Sequence, residues 1–130
     1  MSSDFMRYHF PFYLFALLIL TISSVPHFNP PNFEITFIDK IAHFIEYAIF
    51  AFLALRSLGK LSVFRNPKKL YRSAFLISLL FAGLDELHQA YIPGRFSDIF
   101  DFFADALGIL VVLLSVHILS KRKAATKSSY

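Results

Sequence analysis

With 130 residues, of which 56% are hydrophobic, 18% aromatic and only 17% charged, the chain is too short for two domains and too apolar for an ordinary soluble surface. It contains no cysteine, which excludes disulfides, thiolate metal sites and a cysteine nucleophile and leaves carboxylates, histidines, hydroxyls and arginine for any chemistry. The net charge of +4 does not point to nucleic acid, because the basic residues lie between and after apolar stretches, where they orient membrane proteins.

Four apolar stretches approach the roughly 20 residues that a helix needs to cross hydrocarbon. They predict an all-α polytopic membrane protein with helices at about 10–26, 40–58, 73–92 and 99–120, packed as one domain over residues 1–120. The first stretch follows Arg7, so it reads either as an uncleaved anchor or as a signal peptide. The anchor reading is preferred, because Ser23-Ser24-Val25-Pro26 is a poor cleavage site. Pro26, Asn29, Pro30 and Pro31 break the chain before the second stretch, and Pro93-Gly94 ends the third. The basic tail 121–130 is expected to be disordered. Most of the aromatic residues are expected to face lipid or to form an interfacial belt.

Charge separates sharply along the bundle. Arg7, the second connection (Arg56, Lys60, Arg65, Lys68, Lys69, Arg72) and the tail (Lys121, Arg122, Lys123, Lys127) hold eleven of the thirteen basic residues, which predicts both termini in the cytoplasm. Of the acids only Asp4 shares that side, which carries 11 − 1, or +10. Glu34, Asp39, Glu46, Asp85, Glu86, Asp98, Asp101 and Asp105 lie in or toward the other half with Lys40 and Arg95, giving 2 − 8, or −6.

The second stretch sets Asp39, His43 and Glu46 at i, i+4 and i+7, one helical stripe aimed at one neighbour. The fourth sets Asp98, Asp101 and Asp105 at i, i+3 and i+7, and the third contributes Asp85, Glu86, His88 and Gln89 near its end. Counting at about 1.5 Å per residue puts Glu46, Asp85 and Asp105 at one level, roughly 10 Å below the outer surface. An ionisable group in mid-bilayer costs roughly 2.5–3.5 kcal/mol on insertion scales, so these side chains are expected to face one another or a wet cavity. Plainer readings exist for several. Asp98 with Asp101 forms the start of a capping box, and Asp39 suits a helix N-terminus. Interhelical hydrogen bonding alone would account for Glu46, Asp85 and Asp105. Arg95 reads either as the ion-pair partner of Asp98 or Asp101, or as a fork for an anionic ligand. Tyr47 and Tyr91 are placed beside the polar layer.

As a catalytic set, His43 or Glu46 would serve as general base and Asp85 or Glu86 as general acid. Asp39, Tyr47, Gln89, Arg95, Asp98, Asp101 and Asp105 would bind substrate. The residues are equally compatible with binding alone. His43, Glu46 and Glu86 are candidate metal ligands, and an oxygen-rich set with one histidine suits Mg²⁺ or Mn²⁺ better than structural zinc. A competing function is proton- or cation-coupled transport, for which four helices would have to oligomerise to enclose a path. A third is a non-catalytic membrane assembly factor. The expected partner is a membrane lipid or lipid-linked envelope molecule and not nucleic acid.

Ser23-Ser24-x-Pro26, Asp39-Lys40-x-x-His43-Phe44-x-x-Tyr47, Asp85-Glu86-x-x-Gln89-x-x-x-Pro93-Gly94-Arg95, Asp98-x-x-Asp101 and Gly108 together resemble the signature of the VanZ-like membrane protein family. The resemblance runs from Ser23 to Gly108 and implies a cell-membrane protein, whose site the charge count places toward the extracytoplasmic side. The family's founding member is associated with low-level resistance to teicoplanin, a link that the resemblance does not by itself transfer to this chain. Two positions depart from the pattern: Asp105 stands where Asn is common, and Val112 replaces a second small residue after Gly108, which weakens the expectation of close helix packing there.

Overall fold

The structure, a computed structural model, describes residues 3–26, 33–95 and 97–127, with the side chains of all of these except 33–36 and 127. Every regular element among them is helical: a π-helical turn Phe5–His9 running into α1 (Phe10–Ser23), then α2 (Phe33–Leu58), a short 3₁₀ turn Ser62–Phe64, α3 (Pro67–Gln89) and α4 (Ile99–Lys127). The π turn has a local cause. Pro11 lacks an N–H and its ring crowds the carbonyl four residues back, and the helix relaxes by widening, with the Phe10 N–H donating to the Phe5 carbonyl.

The helix ends differ from those expected from hydropathy. α2 begins at Phe33, so Asp39 lies nearly two turns inside it and is not a terminal carboxylate; Glu34 falls in this helix, but its side chain lies outside the described residues. α3 begins at Pro67, with the Asn66 side chain accepting from the N–H groups of Lys68 and Lys69 at 2.9 and 3.4 Å and Pro67 in the first turn. The basic residues of that turn lower hydropathy without opposing helix formation. α3 closes at Gln89, ahead of a turn that passes through Gly94 at φ 76°. The tail is helical as far as Lys127, since Lys, Arg and Ala are strong helix formers and cations suit a helix C-terminus.

Three spans, Phe5–Ser23, Phe37–Leu58 and Ile99–Thr126, are long and apolar enough to cross a membrane. α3 is long enough too, but it carries Asp85 and Glu86 and turns them, with Gln89, into the bundle. The outside of the bundle is apolar: Leu17, Ile38, Leu80, Leu84, Phe103 and Leu107 are all about half exposed or more, as lipid requires. α2 and α4 make the most extensive contact, α3 packs on both, and α1 lies mainly against α2.

The interior holds Ile19, Tyr47, Phe50, Ala51, Ala54, Ala74, Ala82 and Ile109. Part of the aromatic load is therefore core rather than lipid-facing bulk: Phe50 stacks on Phe81 with centroids 4.6 Å apart, and Phe12 and Tyr47 flank Phe50 at 5.2 and 5.9 Å. Gly108 permits the closest approach of α2 and α4, because a Cβ there would lie 2.2 Å from the Phe44 carbonyl oxygen. One small residue at the crossing is enough, and Val112, one turn on, does not prevent it.

Candidate functional site

Four connected clusters form the acidic end. In the first, Asp85 Oδ2 accepts from the Ser23 hydroxyl and from Gln89 Nε2, both at 3.0 Å, which ties α3 to the last turn of α1. In the second, Arg95 donates from Nη1 to Gln89 Oε1 at 3.2 Å, from Nη2 to the Ile22 carbonyl at 2.9 Å and from Nε to the Val25 carbonyl at 3.2 Å. The guanidinium thus closes the C-terminus of α1, where a cation is favoured. Neither Asp98 nor Asp101 is its partner, and three of its five N–H groups are committed to partners among the described residues.

The third cluster involves a residue whose role was not expected. Lys40 Nζ lies 2.6 Å from Asp98 Oδ2 and 2.8 Å from Asp101 Oδ1, clamping the start of α4 to α2. The signal for it was present in its spacing, since Lys40, His43 and Tyr47 fall at i, i+3 and i+7. Asp98 does cap α4, its Oδ1 accepting from the Phe100 N–H at 2.9 Å. The reciprocal half of the capping box is supplied from another helix. Glu86 Oε2 accepts the Asp98 N–H at 3.1 Å and the Ser97 hydroxyl at 3.2 Å, while Asp101 is occupied with Lys40. The Lys40 ammonium, with help from the Phe100 N–H, holds the Asp98 carboxyl below the usual carboxylate range.

The fourth cluster is the buried centre, where His43 Nδ1 is 3.0 Å from Asp105 Oδ1 and the two side chains are 6% and 1% exposed. The stripe on α2 therefore divides. His43 turns to α4, whereas Asp39 and Glu46 line a cleft of about 330 Å³ together with Ser23, Gln89 and Arg95 from the α1 and α3 ends. His43 borders both. Ile22, Val25 and Ala42 supply the apolar part of the cleft wall.

Tyr47 is fully buried beneath this layer, with its hydroxyl facing the Asp85 carboxylate. Tyr91, at 78% exposure, is not part of the site. His88 pairs with Ser24 at 2.9 Å at the margin.

A family model described as VanZ/LLP1 matches residues 3–120. The chain belongs to the VanZ/LLP1 family. No curated protein and no solved structure matches it. The match takes in all four helices and extends well beyond the motif residues between Ser23 and Gly108. In this VanZ/LLP1 protein Asp105 is the carboxylate that meets His43. Among the described residues two overlapping trios could hold a metal ion, each with one donor atom per residue and all three atoms within 4.8 Å: Asp39, His43 and Asp101, and His43, Glu86 and Asp105. Glu46 belongs to neither and faces the cleft.

Proposed function

We propose that this VanZ/LLP1 protein uses the acidic cleft to bind or modify a lipid-linked or cell-envelope molecule at the extracytoplasmic face of the membrane. The cleft itself carries the reading: about 330 Å³ lined by Asp39, His43, Glu46, Gln89 and Arg95, set among helices whose outer faces are apolar. A ligand with a polar head and an acyl tail meets both environments at once. The Arg95 guanidinium suits an anionic oxygen, while Asp39 and Glu46 accept from hydroxyl or amino groups. In a catalytic form of the reading, Glu46 or His43 takes the proton from the attacking group and Glu86 or Asp85 returns one to the leaving group. The charge asymmetry of the sequence supports the sidedness.

Packing below the cleft favours this over a transport path through one copy. Tyr47, Phe50, Phe81 and Ile109 fill the space under the polar layer, and such side chains offer an ion no stepping stones.

The test combines phenotype with direct capture. Alanine at His43 or Glu86 and the isosteric changes Asp39→Asn and Glu46→Gln are compared at matched protein level for envelope integrity and susceptibility to teicoplanin. A photoreactive amino acid at Ala42 reports what occupies the cleft. The expected result is loss of phenotype in the isosteric variants and a lipid-linked adduct at position 42. An unchanged phenotype in all four, with no lipid adduct, refutes the reading; retention in the isosteric pair with loss in the alanine pair indicates an assembly role.

A further inference from the structure

The layer beneath the cleft holds more acid than its described partners neutralise. One donor atom each of His43 on α2, Glu86 on α3 and Asp105 on α4 lie within 4.8 Å of one another, and all three residues are buried, Asp105 completely. Both carboxylates are divided in the same way. One oxygen is pinned, Glu86 Oε2 by the Ser97 hydroxyl and the Asp98 N–H, and Asp105 Oδ1 by His43. The other oxygen, Glu86 Oε1 or Asp105 Oδ2, is buried with no hydrogen-bond partner among the described residues. A bare buried carboxylate oxygen is costly, and two in one trio mark the place of a missing positive partner.

The nearby cations are engaged elsewhere. Lys40 holds Asp98 and Asp101, and Arg95 holds Gln89 and the end of α1. That leaves two buried carboxylates, Glu86 and Asp105, beside one imidazole among the described residues. A divalent cation supplies two charges at once and binds carboxylate oxygens whose partner oxygens are already oriented by hydrogen bonds. With two carboxylates and a single nitrogen donor the set suits a hard ion completed by water, Mn²⁺ or Mg²⁺, rather than structural zinc.

We propose that His43, Glu86 and Asp105 bind one hard divalent cation between α2, α3 and α4. The site shares His43 with the cleft above it, and its test reads the metal alone. The full chain in nanodiscs, stripped with chelator, is titrated with Mn²⁺ and followed by electron paramagnetic resonance. The expected result is one tight Mn²⁺ per chain, displaced by Mg²⁺ and showing nitrogen coupling from the imidazole. Asp105→Asn and Glu86→Gln should each weaken it by on the order of 10- to 100-fold or more. Binding no stronger than to empty nanodiscs, or unchanged in both variants, overturns the proposal. So does a loss produced by Asp39→Asn alone, which would move the ion to the trio with Asp101. Should a variant fail to fold, nitrogen coupling in the unmodified protein still decides, because binding without it excludes His43.

Discussion

Gly108→Ala tests the packing that brings the buried centre together. The added Cβ would lie 2.2 Å from the Phe44 carbonyl oxygen, 3.0 Å from its carbon and 3.3 Å from the Ala48 nitrogen, all backbone atoms that no rotamer change can move. Bringing the first contact to 3.0 Å, the floor for real Cβ contacts, requires α4 to retreat by 3.0 − 2.2, or 0.8 Å. Asp105 is three residues earlier on the same helix, so the same retreat stretches the 3.0 Å His43–Asp105 bond toward 3.8 Å, past hydrogen-bonding reach. Overpacking costs about 1–3 kcal/mol, and an interhelical polar bond in a membrane protein contributes about 0.6–1.7 kcal/mol, so the loss should be about 2–5 kcal/mol. Gly83→Ala is the matched control, since its Cβ meets only the Phe102 ring at 3.6 Å, an ordinary contact, and alanine favours a helix interior. Equilibrium unfolding in mixed micelles measures both. Equal stability of Gly108→Ala and the unmodified protein would show that the two helices are not held at this separation.

Asp98→Ala should cost about 0.5–2 kcal/mol through loss of the α4 cap, measured in the same unfolding assay, with Asp98→Asn retaining most of the cap. The Asp98 carboxyl sits below its ordinary value of 3.8, so its ionised form is favoured by folding. The resulting stabilisation is complete above that ordinary value and disappears as pH falls through the depressed one; Asp98→Asn should remove this acid-side slope from a pH series of unfolding curves. Lys40→Met should destabilise more than Asp98→Asn, because it strands Asp101, whose side chain is 8% exposed, without its cation. Arg95→Lys cannot reproduce three divergent bonds, so amides in the last turn of α1 should exchange with solvent roughly 5–30-fold faster, corresponding to about 1–2 kcal/mol of local stability, by hydrogen-exchange mass spectrometry.

Helix number, the charge asymmetry between the two ends and the residue types of the site are written in the sequence, because hydropathy and the 3.6-residue period are properties of each helix alone. The period shows that Asp98, Asp101 and Asp105 share a face, and all three do meet α2. Partner choice is a different kind of quantity. That Lys40 rather than Arg95 takes Asp98 and Asp101, that Glu86 completes the cap of α4, and that His43 bonds Asp105 while bordering the cleft of Asp39 and Glu46 all depend on how neighbouring helices are rotated and shifted. Those offsets are set by contacts such as Gly108 on Phe44. Side-chain direction on one helix carries no information about them, and only the packed tertiary structure decides which acid meets which base.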